Sequence, residues 1–366
     1  MKYFMPVRVL SADGAVMNNA SLLAGLGARC TLVTGKHAAK KSGALDDVSQ
    51  ALEKAGVPFR VFDEVEQNPS VQSCLRAGEA AHAFGADFVV GIGGGSALDA
   101  AKAAAVFAAN PGLDEEGFYQ KAWDKPPLPI ALVGTTSGTG SEVTKVSVLT
   151  DGSGRKHSIH DDRLFARCAF GDPRYTRSLS LPVTLSTGID VLGHCAESYF
   201  NKNADEASRA FSVRGIRLLY APLLAAAEGK ELSLEQRREL YDASLLGGLA
   251  ICGTGTCFPH TLGYYLTESF RVPHGFAGAR FLPALLDLVR KKDGAYEARF
   301  FDELGLTREQ LSELVTLCLP ENAITMTASE IDAALPRWEN NNSVRNTCCE
   351  VSVTELRDIL VKLFVR

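Results

Sequence analysis

At 366 residues the chain is longer than a single hydrophobic core usually supports, so two domains are expected. Hydrophobic residues make up 46% and charged residues 22%, with a formal net charge of -5, which speaks against a nucleic-acid or anionic-membrane surface. Its 9 cysteines include no CxxC pair, and no stretch reads as a signal peptide or as the roughly 18 apolar residues of a membrane span; a reduced, cytoplasmic protein is expected.

Tyr3 to Leu10 reads as a short strand, followed by a small-residue helix ending near Gly25 and Gly27. Cys30 to Thr34 is an apolar run of the kind a parallel strand gives, and it runs into Gly35, Lys36 and His37, with Lys40 and Lys41 close behind. Helical spacing over Asp46 to Ala55 stops at Gly56, and Phe59 to Phe62 alternates as a strand. A helix from about Ser70 to Phe84 ends at Gly85, and Phe88 to Ile92 is a buried strand. This rhythm predicts an open α/β sheet with helices on both faces.

Gly93, Gly94, Gly95 and Ser96 follow that strand and open an alanine-rich helix over Ala97 to Phe107. Glycines here let backbone approach a phosphate, and free N–H groups at a helix start can bind it; a tight packing turn is the alternative. Asp99 and Lys102 lie in the first turns. A proline-rich connection with a short helix at Glu115 to Gln120 leads to a strand at Pro129 to Val133 and then to the run Gly134 to Val143, which is rich in threonine, serine and glycine. Such a run supplies N–H groups and hydroxyls to a polar ligand without bulk, or is simply a flexible loop. Thr144 to Leu149 and Lys156 to Ile159 form a hairpin, and Ala169 to Gly171 ends the last core strand at Asp172-Pro173.

From about Ser178 the pattern turns helical, with candidates at Leu185 to Phe200, Glu206 to Ala226, Leu234 to Ala250, after Thr256, Ala279 to Val289, Ala295 to Leu304, Arg308 to Leu319, Ala328 to Leu335 and Val353 to Phe364. The expected domains are 1–178, a parallel-sheet dinucleotide-binding domain, and 179–366, an all-helical metal-binding and catalytic domain, with a cleft between them.

Asp190 and His194 are four apart and share a helix face, where a buried carboxylate needs a cation or a donor beside it. His260 and His274 are the other ligand candidates. Three imidazoles and one carboxylate suit iron or zinc far better than calcium or magnesium. Taken singly, the pair also reads as structural, and each histidine as one held by nearby backbone.

The chain resembles the iron-containing (group III) alcohol dehydrogenase family over nearly its whole length. Gly93 to Lys102 looks like that family's pyrophosphate turn and Thr135 to Val143 like its nicotinamide-side loop; Gly171-Asp172-Pro173, the Asp190/His194 helix and His274-Gly275 also match. The resemblance implies a dehydroquinate synthase-like fold and places Asp190, His194, His260 and His274 on the metal ligands, with Fe2+ expected and Zn2+ as the alternative. It further implies cofactor contacts at Gly35, Lys36, Lys40, Asn68, Gly94, Gly95, Ser96, Asp99, Thr135, Thr136, Thr139, Ser141 and Lys156, and a homodimer paired through the N-terminal strand.

Three positions depart from the family pattern. Gly134 stands where proline often precedes the Thr-Thr pair, which should loosen the backbone. Tyr264 stands where many members have a further histidine that relays protons; it is kept among the catalytic positions, with the relay itself passing to another group or water. Gly35 stands where many NAD-preferring members have aspartate. A carboxylate there would bind the ribose hydroxyls and repel a 2'-phosphate, whereas glycine with Lys36, Lys40 or Lys41 admits that phosphate, so NADP(H) is expected over NAD(H).

The expected reaction is hydride transfer between nicotinamide C4 and a small alcohol, aldehyde or ketone. Phe258, Tyr264, Phe270 and Phe276 are candidates to line the cleft and favour an uncharged substrate. The alternatives are a polyol dehydrogenase of glycerol or propanediol type, and a catalytically inactive nucleotide-binding protein. Dehydroquinate synthase chemistry lacks the basic residues its substrate requires.

Overall fold

The computed structural model describes residues 3–321 and 324–365. These divide into two compact units. One comprises Phe4–Ser180 together with Leu232–Gly248; the other comprises Tyr3, Leu181–Glu231 and the described residues from Leu249 onward.

The first unit holds eight strands: β1 (Arg8–Ser11), β2 (Cys30–Thr34), β3 (Phe59–Phe62), β4 (Phe88–Gly93), β5 (Ile130–Gly134), β6 (Val146–Thr150), β7 (Lys156–His160) and β8 (Cys168–Gly171). Six of them form one parallel sheet in the order β1-β8-β5-β4-β2-β3, while β6 and β7 pair as a separate antiparallel hairpin. The continuous apolar runs of β2, β4 and β5 are fully buried, as a sheet covered on both faces requires. The chain runs outward from β2 to β3 on one side and from β4 to β5 on the other. The β2/β4 crevice is therefore the switch point where open α/β sheets receive ligands at their carboxyl ends.

Small residues make the packing close. The helix Gly95–Ala109 is buried along nearly its whole length, and the helix Val71–Phe84 lies so near it that a Cβ on Gly78 would stand 3.0 Å from Ala104 O. Alanine in one helix and glycine in the other permit that approach.

The expected strand over Tyr3 to Leu10 is shorter and shifted. Its partner β8 has only four residues, Cys168–Gly171, and these can pair Arg8–Ser11 and nothing earlier. The helix Ala38–Ser42 was not expected, being too short to show a period.

The second unit is helical. Its long helices include Leu181–Tyr199 and Glu206–Ala227, followed by Phe258–Phe270, the short His274–Ala279 and then Leu282–Lys292. The Glu206–Ala227 helix has the length and mean hydropathy to cross a membrane, yet its apolar residues Ile216, Leu219 and Leu223 are core, and Arg214 and Arg217 are exposed. Hairpin, sheet and helices together bear out the expected α/β plus all-helical plan.

Candidate functional site

The metal-ligating candidates all lie in the helical unit. Asp190 and His194 stand one turn apart on the Leu181–Tyr199 helix, with His194 Nε2 3.9 Å from Asp190 Oδ2. The other carboxylate oxygen, Oδ1, faces His260 Nε2 at 3.5 Å and His274 Nε2 at 3.8 Å. The ligand atoms of Asp190, His260 and His274 lie within 4.8 Å of one another, and the His194 and His260 rings stack at 4.8 Å.

Glycines set this arrangement. His274 opens its short helix, and a Cβ on the next residue, Gly275, would collide with Ser186 O of the Leu181–Tyr199 helix. The missing side chain thus lets the His274 backbone sit against the helix that carries Asp190. Likewise a Cβ on Gly263 would stand 2.7 Å from Gly278 N, so the helices bearing His260 and His274 touch backbone to backbone.

Asp190 Oδ1 and His260 Nε2 are buried and neither makes a hydrogen bond. Buried polar atoms left in that state are costly, and a cation shared by them removes the cost. Burial pushes the Asp190 carboxyl up, but His194, His274 and His260 outweigh it and hold its pKa well below the usual carboxylate range. Burial disfavours charge on His260, yet Glu197 and Asp190 on its two sides raise its pKa to about 10, and a metal ion at Nε2 would take the place of the second ring proton. A carboxylate kept ionised among three imidazoles fits a first-row divalent ion, and these four side chains could hold one.

Glu197 did not emerge from the sequence. It is fully buried, and its Oε1 lies 2.5 Å from His260 Nδ1. The available signal was its place seven residues after Asp190, on the same helix face. Tyr264, one turn beyond His260, stacks its ring on His274 at 5.3 Å. Phe258 and Phe276 are buried and Phe270 is exposed.

The nucleotide-binding candidates lie in the α/β unit. Gly93 and Gly134 are register partners at the ends of β4 and β5, and Thr135 N–H donates to Gly93 O at 2.9 Å. This brings the two motif loops together: a Cβ on Gly94 would stand 3.1 Å from Thr136 Oγ1, and one on Gly95 2.8 Å from Thr139 Oγ1. The helix Gly95–Ala109 starts with no side-chain cap, leaving N–H groups of its first turn for an anion. Asn68, with a left-handed φ of 55°, is close by: its N–H donates to Ser96 Oγ at 3.3 Å, and its carbonyl accepts from Thr150 Oγ1 at 3.0 Å.

Asp99 and Ser141 are engaged with each other. Ser141 Oγ donates to Asp99 Oδ1 at 2.6 Å, and Val148 N–H donates to Asp99 Oδ2 at 3.0 Å. Fully buried Lys102 donates to Ser141 O at 2.8 Å, Ser141 Oγ at 2.7 Å and Val146 O at 2.7 Å. Burial raises the Asp99 carboxyl pKa, against the pull of Lys102. Lys156 opens β7 and adds positive potential at Asp99. At the end of β2, Gly35 is half-buried with Val65 O 3.1 Å from where its Cβ would be, and Lys36 and Lys40 are exposed.

Gly134 does not loosen the backbone as expected. It sits in β5 in strand register with Gly93 and Gly171, and a Cβ there would collide with Glu142 Oε1 and the Tyr241 hydroxyl. Tyr241 lies over this row of glycines and donates to Glu142 Oε1 at 2.8 Å, tying Leu232–Gly248 into the α/β unit.

A parallel α/β unit with a glycine turn at its switch point, joined to a helical unit carrying three imidazoles and a carboxylate, defines the dehydroquinate synthase-like class. Two family models match the chain: Iron-containing alcohol dehydrogenase over residues 6–173, and Fe-containing alcohol dehydrogenase family, C-terminal, over residues 184–318. Long-chain-alcohol dehydrogenase 1 of Geobacillus thermodenitrificans (strain NG80-2) is 37% identical over 299 residues, covering 79% of this chain and 73% of that protein. The crystal structure of an iron-containing alcohol dehydrogenase from Thermotoga maritima aligns with a TM-score of 0.91 at 33% identity, covering 99% of each chain. Sulfoacetaldehyde reductase from Bifidobacterium kashiwanohense, solved in complex with NAD+, aligns with a TM-score of 0.86 at 26% identity, covering 99% of this chain and 98% of that one. The chain belongs to the iron-containing alcohol dehydrogenase family, and is an oxidoreductase acting on alcohols.

Proposed function

We propose that the protein is a metal-dependent, NADP(H)-preferring alcohol dehydrogenase that also runs as an aldehyde or ketone reductase on small substrates. The observation that carries the metal is the pair of buried atoms Asp190 Oδ1 and His260 Nε2, which face each other at 3.5 Å without a hydrogen bond. When bound, the metal supplies Lewis acidity toward the substrate oxygen and the nicotinamide supplies or accepts the hydride.

The chain's own residues divide the remaining work. Asp190 brings the negative charge of the centre, and His194, His260 and His274 bring neutral nitrogen donors. Tyr264 packs on His274 and restricts that ring. Gly94 and Gly95 offer backbone N–H groups to the pyrophosphate, flanked by the hydroxyls of Thr136 and Thr139. Asp99, Ser141 and Lys102 brace that loop from behind. Gly35 leaves room for a 2'-phosphate that Lys36 and Lys40 can neutralise. Iron is the expected metal, with zinc as the alternative. The 9 cysteines are all free, which fits the reducing cytoplasm. A homodimer formed through the exposed side of β1 completes the reading.

Replacing His260 or His274 by alanine is expected to remove bound metal and to lower turnover roughly a thousandfold or more, the loss of several kcal/mol of transition-state stabilisation. Metal analysis and NADPH consumption with short aldehydes, ketones and hydroxyaldehydes check this. Unchanged metal content and rate in both variants would remove these histidines from the site, and preference for the hydroxyaldehydes would favour the polyol reading.

A further inference from the structure

We infer that Glu197 is a positioning residue of the metal centre, fixing His260 in the tautomer that carries its proton on Nδ1 and presents the Nε2 lone pair toward Asp190. The inference rests on the proposed metal site and adds to it a residue that makes no contact with metal or substrate.

Both oxygens of this fully buried carboxylate are committed to one short segment of chain. Oε1 is 2.5 Å from His260 Nδ1, while Oε2 accepts from Cys257 N–H at 2.8 Å and from His260 N–H at 3.4 Å. Oε2 already accepts two backbone N–H groups, and Oε1 at hydrogen-bond distance from Nδ1 is placed to accept there as well, which puts the ring proton on Nδ1. The other nitrogen, Nε2, then points its lone pair at the space shared with Asp190 Oδ1, 3.5 Å away, where it makes no hydrogen bond. The backbone bonds keep the carboxylate from rotating out of this role. They also cap the start of the Phe258–Phe270 helix, whose N-cap Cys257 provides no side-chain cap, at the end where negative charge is favourable. A carboxylate behind a ligating imidazole typically changes metal affinity 10–100-fold.

Glu197→Gln separates the two roles. Its side-chain carbonyl can still accept from Cys257 N–H, so the helix cap survives. Its NH2 faces His260 Nδ1 as a donor, which shifts the ring proton to Nε2 and turns an N–H toward the metal position. Zinc affinity is measured by competition with a chromophoric chelator for wild type and E197Q, alongside the thermal midpoint of each metal-free protein. The expected result is a zinc Kd weakened about 10–100-fold in E197Q with the metal-free midpoint nearly unchanged.

Tight zinc binding by wild type together with an unchanged Kd in E197Q would overturn the role of Glu197 and leave the metal site standing. Failure of wild type to bind zinc or Fe2+ would overturn both together. 15N-histidine spectra of zinc-loaded wild type decide the matter independently of whether E197Q folds. Nε2 ligation of His260 with a protonated Nδ1 supports the inference, and ligation through Nδ1 or an unprotonated Nδ1 overturns it.

Discussion

Gly275 is the residue on which the geometry around His274 turns. A methyl group there would collide with Ser186 O, a backbone atom that cannot rotate away, and would stand 3.0 Å from Asp190 Cβ. Gly275→Ala should therefore displace the His274–Ala279 helix from its neighbour and draw His274 Nε2 away from Asp190 Oδ1. The expected outcome is a metal affinity at least about tenfold weaker, since ligand atoms must be held within a few tenths of an ångström, with dinucleotide affinity unchanged. Parallel titrations of zinc and of NADPH would check it; equal metal affinity in G275A would show that the helix can shift without cost. At this scale Asp190 and His194 showed only a shared helix face, and it was the resemblance of the whole chain to one family that set His260 and His274 beside them. Glu197 was not legible, since a glutamate on a helix usually faces water and only the fold shows this one buried against His260.

The element that sequence reasoning misplaced is the segment Leu232–Gly248. Its helical periodicity was plain, but which unit it joins depends on Tyr241 lying over Gly134 and Gly171 and on Gly140 meeting Gly248, none of which a period of 3.6 encodes. The strands β2 and β3 were read at their full extent because buried parallel strands are continuous apolar runs or short alternations bounded by turn residues. The helix with Asp190 begins at Leu181, four residues before the expected Leu185, since Pro182 is tolerated in a first helical turn. His274 opens a short helix that was not among the expected ones.

The Tyr241–Glu142 contact yields a prediction with a definite pH sign. Burial raises the Glu142 pKa above the usual carboxylate range, and the Tyr241 hydrogen bond opposes that rise. Tyr241→Phe removes the donor, so the folded-state pKa climbs further above the unfolded one. Such a group binds more protons folded than unfolded, and stability falls as pH rises from the unfolded value through the folded value. The substitution should therefore cost about 1–3 kcal/mol above the folded pKa of Glu142 and less below the unfolded pKa, where the carboxyl is neutral in both states. Urea midpoints of wild type and Y241F at two pH values would show this, and a penalty independent of pH would contradict it.

For the molecule as a whole, the parallel sheet, the helical unit and the family membership were all legible, because the glycine turn and the histidines stand in motifs spread across nearly the entire chain. Cofactor preference is a property of the assembled switch point, where Gly35 and Lys36 follow β2 and the glycine turn follows the adjacent β4. The kcat/KM for NADPH should exceed that for NADH, and Gly35→Asp should move the ratio toward NADH, even though Val65 O, 3.1 Å from the new Cβ, must give slightly. A wild-type ratio favouring NADH would sink this preference. The central claim is a divalent metal bound by Asp190 and the three histidines, and the most direct measurement is the metal content, per chain, of wild type and Asp190→Ala after loading with Fe2+ or Zn2+ and removal of excess. Close to one metal per wild-type chain and almost none in D190A are expected; equal metal in the two proteins, or none in wild type, would contradict a metal centre built on Asp190.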